Sequence, residues 1–84
     1  MSIKEMMRVV EAINKHAVSL TTAGIALNSA SVELMVAYNE HLHLEDPVKY
    51  TKLIREFSAA LSATLDCLDK LVDESERLLD EQQT

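Results

Sequence analysis

Apolar residues recur every three to four positions along almost the whole chain, which is the spacing of an α-helix that buries one face. In the first half two heptad series read Ile3, Val10, Ala17, Gly24, Ser31, Tyr38 and Met6, Ile13, Leu20, Leu27, Leu34, His41. In the second half they read Tyr50, Phe57, Thr64, Leu71, Leu78 and Ile54, Leu61, Leu68, Ser75. We therefore expect two long helices that meet along these positions.

Capping residues mark where each helix should begin. Ser2 followed by Glu5 is a capping box, in which each side chain can satisfy a free backbone N–H of the first turn. Asp46 followed by Pro47 suits an N-cap and a first helical position, where the missing proline N–H costs nothing.

These signals predict one domain over residues 1–84, with helix 1 at about 3–42, a turn at about 43–46 and helix 2 at about 47–80. A connection this short forces consecutive helices to be antiparallel neighbours. The expected fold is all-α, an antiparallel two-helix hairpin.

The chain carries more apolar surface than one hairpin can bury. Outside the expected seam lie Val18, Ile25, Val32, Met35 and Val36 on helix 1, and Leu65, Val72 and Leu79 on one flank of helix 2, with Leu53, Ala60 and Cys67 on the other flank. Residues 17–32 contain no charge at all. Soluble monomers rarely expose so large an apolar patch. We predict that the five residues of helix 1 and the three of the Leu65 flank form an interface, either in a homodimer that makes a four-helix bundle or with a different protein.

The charge balance narrows the choice of partners. Fourteen acidic residues against eight basic ones give a net charge of −6, opposite to what phosphate backbones attract. An RNA-binding hairpin similar to Rop, using a local basic face, is a minor alternative. The uncharged run is 16 residues long, below the roughly 20 of a membrane span, and it contains several Ser, Thr and Asn residues. Glu5 and Glu11 replace the basic start of a signal peptide, and the single cysteine suits a reducing compartment, so we expect a cytoplasmic protein without membrane contact.

Candidate chemistry is sparse. Glu40 and His43 have the Glu-x-x-His spacing of di-iron bundles, which makes them weak metal candidates, but they lie at the turn and we expect a solvated turn instead. His16 should be a half-buried structural histidine, and Cys67 a small core residue without a neighbouring base. Glycine occurs once, so no Gly-rich loop can hold a phosphate. We expect no enzyme and no cofactor.

The remaining hypothesis is a small interaction protein that docks its helical faces on a partner as a regulator, adaptor or inhibitor, of the acidic kind that phages and mobile elements encode. An alternative comes from the short turn followed by Asp46-Pro47-x-x-Tyr50, which resembles the small hairpin co-chaperones and needle subunits of type III secretion systems. That resemblance covers the turn and the opening of helix 2, and it implies a chaperone or accessory subunit.

Overall fold

Three helices account for nearly all of the described chain. A computed structural model describes residues 2–83, so the first and last residues of the predicted domain lie outside it. The helices are α1 (Ile3–Asn39), α2 (Leu42–Glu45) and α3 (Pro47–Gln83). No strand occurs among residues 2–83, and the predicted all-α class is confirmed.

Both long helices start where the sequence places their caps. The Glu5 N–H donates to Ser2 Oγ at 3.1 Å, directly before α1. The Lys49 N–H donates to Asp46 Oδ1 at 3.1 Å, directly before α3. The two caps satisfy backbone donors that have no partner within their own helix.

The helix ends differ from the predicted bounds. α1 stops at Asn39 rather than near residue 42, because His41 adopts a left-handed backbone with φ 61° that no α-helix can continue. Residues 42–45, expected to belong partly to helix 1 and partly to an open turn, form the single helical turn α2. α3 continues to Gln83, three residues beyond the predicted end, through Glu and Gln residues that favour helix.

α1 and α3 lie side by side. Each has 37 residues, which corresponds to about 56 Å of helix. Because the whole body measures 60 × 16 × 15 Å, helices of that length fit only next to each other. The chain reverses direction between Glu40 and Asp46, so both helices extend away from α2.

The residues that face the other long helix form one stripe on each helix, which we call the inner seam. Its members, all buried or half-buried, include Val9, Ile13, His16, Leu20, Ala23, Leu27, Ala30, Leu34 and Ala37 on α1, and Tyr50, Leu53, Phe57, Ala60, Thr64, Cys67, Leu71, Glu74 and Leu78 on α3.

One heptad series was predicted wrongly on each helix. On α1 the Val9–Ala37 series replaces the expected Ile3–Tyr38 series, so the seam is rotated by one residue. On α3 the Leu53, Ala60, Cys67 series takes the place of Ile54, Leu61 and Leu68, which are exposed. Alanines every seven residues on α1 leave room for Phe57 and Tyr50, whereas the expected series would bury Ser31 and the hydroxyl of Tyr38.

The inner seam is a thin core. Only Val9 and Ala37, 7% and 6% exposed, are buried among the described residues, and no side chain there is fully buried. The accessible surface is 6270 Å², whereas a compact monomer of 9.4 kDa would expose about 5,000 Å². The helix pair therefore leaves far more surface open than a globular domain of its mass.

Candidate interaction surface

Large apolar side chains dominate the outside of the helix pair. Eighteen large hydrophobic residues of the described chain are exposed. All eight residues predicted as an interface are among them: Val18, Ile25, Val32, Met35, Val36, Leu65, Val72 and Leu79. None of the eight lies in the inner seam.

Three of these residues form a line that we call the α1 ridge, namely Val18, Ile25 and Val32. Because the inner seam occupies the opposite side of the same helix, the ridge points away from α3. Their exposures are 59%, 67% and 46%. Beside the ridge, the Thr21 and Thr22 hydroxyls donate to the Ala17 and Val18 carbonyls at 3.0 and 3.1 Å. Because both hydroxyls already donate to helix carbonyls, a partner could bury this part of α1 without leaving these two donors unsatisfied.

The two sides of the helix pair differ in chemistry. On one side Glu33 and the C-cap residue Glu40 line a groove with Lys49 of α3, and Val32, Val36 and Leu53 form part of its apolar wall; we call this the charged side. The opposite side, which we call the open face, carries residues from both helices next to the inner seam: Val10, Ala17 and Gly24 on α1, and Leu61, Leu65 and Leu68 on α3. Val72 and Leu79 extend it along α3, where they line a shallow groove with Leu71.

Gly24 shows that the centre of the open face is not filled. A Cβ atom added there would have no neighbouring atom within 4 Å. The expectation that Gly24 belongs to a close contact with helix 2 is therefore wrong, since the rotated seam turns this position outward. Leucine at position 24 would not push α1 and α3 apart.

Charge on α3 is unevenly distributed. Its start carries the bases Lys49, Lys52 and Arg55 with one acid, Glu56, and its second half carries two bases, Lys70 and Arg77, among seven acids: Asp66, Asp69, Asp73, Glu74, Glu76, Asp80 and Glu81. The first turn has no acidic residue and the last turn no basic one. This order opposes the helix dipole, which favours acids at the start and bases at the end. A neighbouring helix of opposite direction offsets that penalty.

The ion pairs seen in the described chain join residues of α3 to each other. Lys70 Nζ lies 3.0 Å from Asp66 Oδ2, and this hydrogen bond, together with the carboxylate charge, raises the pKa of Lys70. Arg77 Nη1 lies 3.3 Å from Glu74 Oε2, without the angle of a hydrogen bond.

The turn contains an aromatic cluster rather than an assembled metal site. The His43 ring stacks on Tyr38 with centroids 4.6 Å apart and lies 5.6 Å from the Tyr50 ring. Glu40 is the C-cap residue of α1. Among residues 2–83 no three His, Cys, Asp or Glu side chains come together as metal ligands would. His43, half-buried, packs the turn against both long helices, which sequence spacing did not indicate.

Three polar or reactive side chains lie in the inner seam. His16 and Cys67 are half-buried there, in the environment expected for structural residues. Glu74 was not anticipated at a seam position. Its Oε2 atom is buried, and no apolar pattern could have revealed an acid in that series.

Comparison with known proteins finds no match to the chain among family models, curated proteins or solved structures. By length and composition, α1 is apolar enough to cross a membrane, and only 6% of its most apolar 18-residue window is buried. The core helix of a soluble protein, which is mostly buried, and a signal sequence near the N-terminus satisfy the same criterion.

Proposed function

We propose that this chain is a non-enzymatic interaction protein, a regulator, adaptor or inhibitor that acts by docking helical faces on partner proteins. The observation that carries the proposal is the mismatch between its interior and its surface. Among the described residues two are buried, whereas eighteen large hydrophobic residues remain exposed. A surface of this kind marks interaction sites in soluble proteins.

The assembly unit in this proposal is an antiparallel helical hairpin, and two hairpins pair into a four-helix bundle. Below about 70–80 residues a single core rarely supplies more than a few kcal/mol, and oligomerisation is a common remedy. With 84 residues, and only Val9 and Ala37 buried in the part that the structure describes, this chain is close to that limit. Pairing two apolar faces would supply the missing core.

The surface area supports a dimer of ordinary size. A compact protein of twice the mass would expose about 8,300 Å². Two separate copies expose twice 6270 Å², which is about 4,200 Å² more. Obligate homodimers bury roughly 2,000–5,000 Å² in total. Burial of that size would cover much of the open face and leave the charged side available to partners.

Light scattering and sedimentation equilibrium over a wide concentration range test the proposal. We expect a mass of twice 9.4 kDa and a melting temperature that rises with concentration, because dissociation and unfolding are coupled. A stable, fully helical monomer at all concentrations would contradict it. So would recovery of the protein with lipid vesicles in flotation, because α1 would then be covered by lipid.

A further inference from the structure

We infer that the second copy lies on the open face with its turn at the opposite end, so that α1 packs against α1 and α3 against α3. This inference rests on the proposed self-association and adds its geometry. Two-fold symmetry allows two ways to stack one helix pair on another. If the two-fold axis runs parallel to the helices, the turns of both copies lie at the same end of the dimer, and α1 of one copy packs on α3 of the other. An axis across the helices puts the turns at opposite ends and each helix over its own counterpart.

Charge allows both of these arrangements and disfavours parallel stacking. Both helices carry more bases than acids near the start and acids near the end: on α1, Lys4, Arg8 and Lys15 stand against Glu5 and Glu11 at the start, and Glu33 and the C-cap residue Glu40 stand at the end. Any antiparallel neighbour therefore meets opposite charge, although each exposed pair contributes at most about 1 kcal/mol. In both arrangements the facing helices are antiparallel. Charge order alone does not choose between them.

The outer edges of the open face distinguish the two arrangements. The outer edge of α1 is the α1 ridge, which is apolar. The equivalent edge of α3, again seven residues apart, is Arg55, Ser62, Asp69 and Glu76. When two such layers stack, outer edges meet outer edges. Only a second α1 offers the α1 ridge an apolar edge.

The heights of residues along the helix axes show which side chains would lie opposite each other in each arrangement. Because α1 ends at Asn39 and α3 begins at Pro47, residues whose numbers add to about 86 lie at the same height. With both turns at one end, Val18 would therefore lie over Asp69, and Val32 over Arg55, of the other copy. Covering a charge with an apolar side chain removes its water without supplying a partner, which is costly.

With the turns at opposite ends the same edges are complementary. Aligning the centres of the two bodies brings Val18 level with Ile25 of the second copy. On the α3 edge, Arg55 comes level with Glu76 of the second copy. Every contact occurs twice, because the two-fold axis repeats it.

The middle of α1 also favours a close approach of two α1 helices. Ala17, Gly24 and Ser31 follow one another at heptad spacing on the open face, and the position of a Gly24 Cβ is open. Helix axes come closest where the side chains between them are small. The bonded Thr21 hydroxyl lies beside them and needs no water.

Distances between spin labels on the two turns test the arrangement. Leu44→Cys places a nitroxide on α2, where the side chain is 73% exposed, in a Cys67→Ala background that leaves one thiol per chain. We expect a dimer with a label-to-label distance of about 60 Å, the length of the helix pair. Ser62→Cys, near the middle of α3 and exposed, is the matched control, because its distance is below about 30 Å in both arrangements.

Each result is decisive. A dimer with turn labels closer than about 25 Å would overturn the orientation and leave the proposed self-association intact. A monomer at every concentration, for labelled and unlabelled protein alike, would overturn both. Circular dichroism and light scattering of the Cys67→Ala background establish first that the substitution preserves helix content and mass.

Discussion

Ile25 is the position where folding of the helix pair and its association separate most clearly. The side chain is 67% exposed in the single chain, so only a third of it is buried by its own helix pair. Replacing it with glutamate should therefore leave helix content almost unchanged. A full isoleucine side chain contributes roughly 1.5–3 kcal/mol when buried, and the intrachain share is at most about 1 kcal/mol.

The dimer Kd should change far more strongly than the helix content. If the second copy covers the exposed two-thirds, each Ile25 contributes about 1–2 kcal/mol to the dimer, and the two-fold axis doubles this to about 2–4 kcal/mol. At 1.4 kcal/mol per tenfold, Ile25→Glu should raise the dimer Kd by about 30- to 700-fold. The glutamate stem can carry its charge outward at the edge of the contact, so the charge adds less than the several kcal/mol of a fully buried carboxylate.

Sedimentation equilibrium measures this change directly, and Ala59→Glu is the matched control. Ala59 is exposed on α3 away from the open face, and a glutamate there lies four residues after Arg55. We expect its Kd to stay within threefold of the wild type, since a new pair of this kind contributes about 0.3–0.5 kcal/mol. An Ile25→Glu protein with native helix content and a Kd equally close to the wild type would refute burial of the α1 ridge.

Three further measurements check other parts of the structure. Asp46→Ala removes the cap of α3 and should cost about 1 kcal/mol, which lowers Tm by about 4–8 °C in a thermal melt; an unchanged Tm would contradict the capping role. Gly24→Ala should stabilise a dissociated chain by up to about 1 kcal/mol, whereas Gly24→Leu should raise the dimer Kd at least tenfold through overpacking; equal Kd values would count against a close approach of two α1 helices. The raised pKa of Lys70 means that any stabilisation by its Asp66 pair is present below the ordinary lysine pKa and lost as pH rises through the folded-state value. Because both groups are exposed, Lys70→Ala should melt with the wild type at pH 7, and a shift of several degrees would contradict that.

The features set by local chemistry were predictable from the sequence. Ser2 and Asp46 mark helix starts because a short oxygen-bearing side chain can accept a backbone N–H within its own turn. The α1 ridge was also predictable, since a solvated helix face needs charges and Ile25 has none within seven residues on either side. Neither inference depends on a residue distant in the chain.

The features that depend on residues distant in the chain were not predictable from the sequence. Gly24 and Ala23 are almost equally small, so residue size on α1 does not by itself indicate which of the two series faces α3. His41 ends α1 in a left-handed conformation that non-glycine residues seldom adopt, so the residue type did not predict a helix end at this position. The aromatic stack of Tyr38 on His43 follows from that turn and could not be read from spacing.

The uncharged run of α1 suits a protein neighbour better than a lipid one. Residues 17–32 span about 24 Å of helix, less than the roughly 30 Å of a hydrocarbon core, and Lys15 and Glu33 bound the run closely. The inner side of this run packs on α3, where Asp69 lies near the height of residue 17 and Arg55 near the height of residue 32. Placing α1 in a bilayer would bring those charges into hydrocarbon at several kcal/mol each, or would strip α3 from the inner seam and expose it. In the proposed dimer a second α1 would cover the ridge without either cost, and the contact would end where the charges resume.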